Sequence, residues 1–107
     1  MRFGERVRQL RKDSGMGQRA LAQLLGVSFT YISKIENGKL DFGDYPSEAL
    51  IQKLAHIFEI DEDCLLLLAK KVPRSIKERV FERPDAFQRF ATLDDKSIDM
   101  LLGQLDE

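Results

Sequence analysis

The chain has 107 residues, 43% of them hydrophobic, with a formal net charge of −1, one cysteine and one histidine. That length makes one ordinary domain with a possible appendage, and the apolar content suffices for a core. The cysteine and histidine counts exclude an internal disulfide framework and a histidine–cysteine metal cluster, so no metal or cofactor is expected. The apolar run from Cys64 to Ala69 is too short to span a membrane. The charged N-terminus does not read as a signal peptide, so a cytoplasmic, soluble protein without a membrane role is expected.

Residues 3–14 place Phe3, Val7, Leu10 and then Met16 on one apolar side, which predicts a first helix stopped near Gly15. In Gln18–Lys39, Leu21, Ala22 and Leu25 give a second helix one apolar face. Gly26 stands where a residue with positive φ is needed for a sharp turn. Val27 then points inward, and Ser28 can cap a third helix with its hydroxyl. In that helix Ile32 and Ile35 face the core, while Phe29, Thr30, Ser33, Lys34 and Asn37 fall on the other face. A helix with a polar ridge and a cation suits the major groove of duplex DNA.

The net charge argues against a nucleic-acid partner until its distribution is counted. Residues 1–40 hold eight Lys/Arg against three Asp/Glu, whereas residues 41–107 hold nine against fifteen. The basic part carries the two-helix motif, as attraction to phosphate requires.

Leu40–Pro46 reads as a loop with Gly43 and Pro46 as breakers. Ser47 or Asp44 can start a fourth helix with a stripe of Leu50, Ile51, Leu54, Ile57 and Phe58. Asp61 can cap a fifth, with Glu62 and Asp63 where the helix dipole favours anions. Val72-Pro73 is expected to interrupt that helix. The tail then shows Ile76, Val80 and Phe81, a break at Arg83-Pro84, and Phe87, Phe90 and Leu93. A last helix from Asp94 or Asp95 carries Ile98, Leu101, Leu102 and Leu105 at helical spacing. Such a short segment cannot bury that face alone, so it must pack on the front portion or on another chain. The expected division is 1–71 and 72–107.

No enzyme is indicated. The consecutive carboxylates at Asp61, Glu62 and Asp63 fit a helix start, and no glycine-rich phosphate loop is present. His56 falls opposite the Leu50/Leu54/Phe58 stripe, where solvent is expected. Cys64 opens an apolar run without a basic neighbour, so core packing is its expected role.

The segment Gln18–Lys39 resembles the DNA-binding unit of the phage repressor-like, or Xre (Cro/C1-type), regulators. The matches are a small residue at Ala22, glycine at Gly26, and aliphatics at Leu21, Leu25, Val27, Ile32 and Ile35. Gln18 and the closing run Glu36-Asn37-Gly38-Lys39 match as well, and the likeness extends over residues 3–70. It implies an all-α, five-helix lambda repressor-like DNA-binding domain, here with a short helical C-terminal extension. It also implies a transcriptional regulator, a repressor, that binds a palindromic operator in double-stranded DNA as a homodimer. Relatives include antitoxins and protease-controlled repressors, which leaves a partner protein (a toxin or a peptidase) as the alternative main role.

The resemblance assigns roles by position. Thr30 and Lys34 are the expected base readers, since threonine and lysine can donate to base edges. Phe29 either packs on a thymine methyl or shields the turn, and Ser33 either meets a base or lies in solvent. Gln18, Asn37 and Lys39 are expected at phosphates, with Tyr31 between core edge and backbone contact. Arg11 and Glu36 match a structural pair joining the first helix to the end of the third. Two positions depart from the pattern. Gly17 replaces a capping serine or threonine, at a cost of only about a few tenths of a kcal/mol. Asp41 and Asp44 stand where relatives often carry cations against the DNA backbone.

Overall fold

A computed structural model describes every residue except Phe42 and Asp44. All regular elements among the described residues are helical: α1 (Phe3–Asp13), α2 (Gln18–Leu25), α3 (Phe29–Glu36), α4 (Glu48–Phe58), α5 (Glu62–Leu68), α6 (Arg74–Glu82), α7 (Pro84–Ala91) and α8 (Asp95–Leu105). The chain divides into two compact units, Met1–Val72 and Pro73–Glu107.

Local chemistry sets most helix starts. The hydroxyls of Ser28 and Ser47 accept the backbone N–H of Tyr31 and Leu50, and the Asp61 carboxylate accepts that of Cys64. Each satisfies a donor the helix itself cannot use. Ser47 is thus the cap of α4, and the alternative Asp44 lies outside the described residues. Gly17 gives α2 no side-chain cap.

The first unit surrounds one core. Val7 from α1, Leu21, Ala22 and Leu25 from α2, and Ile32 and Ile35 from α3 meet Ile51, Leu54 and Ala55 of α4 and Leu65 and Leu66 of α5. Phe3, Met16, Val27, Tyr31, Leu50, Ile57 and Phe58 pack around its edge. Gly4 permits a close approach of α1 to α3, because a Cβ there would stand 2.1 Å from the Ile35 carbonyl oxygen.

Two expectations fail within α5. The helix ends at Leu68, before Val72-Pro73, because Lys70 turns into the left-handed region at φ 61°. The Lys71 N–H then donates back to the Leu66 carbonyl at 2.9 Å, satisfying the last turn. Cys64 is exposed rather than in the core. Leu65 and Leu66 define the buried stripe, and at about 100° per residue Cys64 points roughly 150° away from its centre. The neighbouring Asp61 carboxylate, to which the thiol hydrogen-bonds, pushes the Cys64 thiol above its ordinary pKa. His56 is exposed.

One buried charge ties α1 to α3. The Glu36 side chain is 0% exposed and that of Arg11 only 10%. Arg11 Nε donates to Glu36 Oε2 at 2.6 Å, and Arg11 Nη2 donates to Oε1 at 2.9 Å. Arg11 Nη1 also donates to the Met16 carbonyl at 2.9 Å. Burial pushes the Glu36 carboxyl up, but hydrogen bonds from Arg11, Gln18 and Arg8 and the Arg11 charge outweigh it, leaving the pKa below the ordinary value. The same carboxylate holds the Arg11 guanidinium above its own ordinary pKa.

In the second unit α6 packs on α7, and no residue of α6, α7 or α8 is buried. Pro84 opens α7 at its first position, where a missing N–H costs nothing. Asp94 caps α8 by accepting the Ser97 N–H at 2.9 Å. Ile98 is half-buried, but Leu101, Leu102 and Leu105 are exposed, as are Phe81, Phe90 and Met100.

Point substitutions test this packing. Gly4→Ala improves helix propensity yet forces a methyl into the Ile35 carbonyl, so urea unfolding should show a net loss of about 1–3 kcal/mol. Gly103→Ala, at a helical site with open space, should instead stabilise or be neutral. Glu36→Gln leaves the buried Arg11 charge unpaired and should cost about 3 kcal/mol or more near neutral pH. Because the folded carboxyl has a lowered pKa, its contribution is complete above the unfolded value, about 4.3, and is lost as pH falls through the folded value. Thermal unfolding between pH 6 and 2 should therefore show a shallower acid loss for Glu36→Gln than for the wild-type chain.

Candidate nucleic-acid interface

The helical pair α2–α3 is joined by a turn that Gly26 makes at φ 72° and ψ 32°. Gly26 has the left-handed conformation that a side chain would strain. Val27 N–H closes the turn on the Ala22 carbonyl at 3.0 Å, and Ser28 begins α3 in extended conformation. Ile32 and Ile35 then point into the core, 0% and 2% exposed. Their burial leaves the opposite side of α3 facing out: Phe29, Thr30, Lys34 and Asn37 are exposed, and Ser33 is half-buried. Tyr31 is half-buried at the core edge, and Lys39 is exposed just beyond the helix.

Several residues expected at phosphates also brace the helix. Gln18, at the head of α2, donates from Nε2 to Glu36 Oε1 at 3.1 Å. Asn37 Oδ1 accepts from Arg8 Nη2 at 2.5 Å, and Asn37 Nδ2 donates to Ser33 Oγ at 3.3 Å. Glu36 thus gathers donors from both α1 and α2 at the C-terminal end of α3. The arrangement fixes the direction in which Thr30 and Lys34 project.

Two arginines belong to this face that the sequence reading did not single out. Arg8 donates from Nε to Glu36 Oε1 at 3.4 Å while its side chain stays 41% exposed. Its spacing of three from Arg11 places both cations on the α1 side that meets α3, a signal present in the sequence. Arg19 lies with its guanidinium 4.7 Å from the centroid of the Phe29 ring. That contact joins two helices, and no local pattern announces it.

The remaining observations bound the chemistry. Among the described residues no group of three or more acidic, histidine or cysteine side chains is arranged to hold a metal. Among those residues no helix is long and apolar enough to cross a membrane. Asp41, in the loop after α3, is exposed, and Asp44 is outside the described residues.

Comparisons with known proteins agree with this geometry. A family described as a helix-turn-helix domain matches residues 2–68. The chain is 33% identical over 86 residues to an uncharacterized HTH-type transcriptional regulator, RghRB, of Bacillus subtilis strain 168, covering 80% of this chain and 59% of the relative. It is also 33% identical over 93 residues to the HTH-type transcriptional repressor RghR of the same strain, covering 79% and 67%. The chain therefore spans about three-fifths to two-thirds of the length of these relatives. Among solved structures, a SinR protein/SinI protein complex matches with a TM-score of 0.54 and 22% identity, over 97% of this chain and 94% of that one, a likeness of fold. The helix-turn-helix geometry and the matched residues carry one conclusion: the chain belongs to the helix-turn-helix family, of the phage repressor-like (Xre) type.

Proposed function

We propose that this protein represses transcription by binding a palindromic operator as a symmetric dimer, acting in the cytoplasm without a cofactor. The observation that carries this reading is the outward face of α3. Thr30 and Lys34 are exposed on a helix whose opposite side is locked into the core and whose end is fixed through Glu36. A rigid mount matters because base readout depends on side chains meeting base edges in register. The repressor RghR, similar over most of this chain, supports the sign of regulation.

In this reading Thr30 and Lys34 touch base edges, with Phe29 against a thymine methyl and Ser33 beside them. Lys39 and Tyr31 meet the phosphate backbone. Gln18 and Asn37 combine a phosphate contact with the bracing hydrogen bonds described above. The residues that brace α3 would lose affinity on substitution by misplacing the helix, as well as by losing a phosphate.

The dimer reading rests on the second unit. Leu101, Leu102 and Leu105 expose 41%, 49% and 80% of their surface on one short helix. Water contact with that much apolar surface is unfavourable, and a second copy would remove it. One recognition helix reads only a few base pairs, and pairing places two of them about 34 Å apart on one duplex face. A second reading assigns the same surface to a different protein, such as a toxin or a peptidase. The structural neighbour, a complex of two proteins, supports it.

Two experiments test these statements. Lys34→Ala and Thr30→Ala should each cost about 1–3 kcal/mol on the selected operator and much less on random duplex. Lys39→Ala should weaken all duplexes alike and reduce the salt slope by about one. Equal losses on both kinds of DNA for Lys34→Ala would remove it from the reading role. Sedimentation should show the full chain as a dimer at micromolar concentration, and truncation after Lys71 should leave a folded helical monomer with greatly weakened operator affinity. A full-length chain that stays monomeric on a palindromic operator would overturn the dimer and favour the partner-protein reading.

A further inference from the structure

The Arg19–Phe29 contact joins the head of α2 to the first residue of α3. Helix-turn-helix proteins place the N-terminal part of the recognition helix at base edges, whereas the preceding helix crosses the backbone. An exposed arginine on α2 would ordinarily meet a phosphate. Here its guanidinium lies 4.7 Å from the ring centroid of Phe29, a side chain 41% exposed at the start of the reading helix. No carboxylate among the described residues forms an ion pair with Arg19. The ring face therefore draws the cation toward the groove-facing end of α3, and no ion-pair partner among the described residues neutralises it there.

The geometry points to Arg19 and Phe29 as one composite reader, specific for a guanine next to a thymine. The inference rests on α3 being the DNA-reading helix and names a base and a residue within that role. The Phe29 ring supplies an apolar surface for the thymine methyl. The stacked guanidinium presents its planar fork beside it, matched to the O6 and N7 acceptors of guanine in the major groove. Stacking also limits the rotamers Arg19 samples before DNA arrives, which lowers the ordering cost of binding. Lysine cannot substitute, because an ammonium offers neither a planar fork nor the same stacking.

A selection on random duplexes at fixed salt tests this, using the full chain and the variants Arg19→Ala, Arg19→Lys and Phe29→Leu, with circular dichroism melting to verify folding. The wild-type chain should enrich a guanine beside a thymine at one fixed position of each half-site. Arg19→Ala and Arg19→Lys should each lose discrimination at that guanine by on the order of tenfold or more. Selection at the positions read by Thr30 and Lys34 should persist. Phe29→Leu should keep some thymine preference yet weaken the guanine preference, because the stack is gone. If Arg19→Ala instead weakens every duplex equally and lowers the salt slope by about one, Arg19 is a phosphate contact and the inference fails. Full retention of the guanine preference by Arg19→Lys would overturn the stacked geometry. A wild-type chain that enriches no duplex would overturn DNA reading by α3 itself, and the composite reader with it.

Discussion

A carboxylate with no exposed surface is costly, and Glu36 is acceptable only because donors from two other helices converge on it. Removing an ion from water costs several kcal/mol even after relaxation, so the site has to be rich in donors and well aligned. Arg11 supplies a two-pronged contact from α1, Arg8 a longer one from the same helix, and Gln18 a third from the head of α2. An apolar contact in the same place could slide or rotate with little penalty. A forked, charge-assisted hydrogen bond cannot, since its strength depends on direction. The orientation of α3 is therefore set at its C-terminal end by chemistry and along its length by the burial of Ile32 and Ile35.

That constraint answers a difficulty specific to a short helix with one uncovered side. α3 has eight residues, too few to be stable in water alone. Its outer side is polar and uncovered, so only the other contributes burial. The close approach of α1 at Gly4, the turn at Gly26 and the Ser28 cap together hold the short helix without covering Thr30 or Lys34.

The second unit solves a different problem. Its three helices have well-formed ends, with Pro84 opening α7 and Asp94 capping α8, but none buries a side chain. Local signals suffice to define helices there, whereas Phe81, Phe90, Leu101, Leu102 and Leu105 remain exposed. Surface ion pairs such as Arg74–Glu78 and Arg79–Glu82 add little to its stability. The first unit thus holds a short helix with an exposed polar ridge, and the second carries exposed apolar residues.

The sequence by itself determined the features whose causes lie within a few residues. Ser28, Ser47 and Asp61 mark helix starts, Gly26 marks the turn, and the spacing of Ile32 and Ile35 separates the buried side of α3 from its outer ridge, because capping and helical periodicity are local. Periodicity was less decisive in α5, where a seven-residue helix and an apolar run left its phase open. There Cys64 faces solvent, and Lys70 ends the helix before the proline. Tertiary structure alone decided the rest. The clash distance at Gly4, the Arg8 bond to Asn37 and the seat of Arg19 over Phe29 each join residues from different helices. No spacing rule within one helix encodes such contacts, because they depend on how two helices cross after the core has closed.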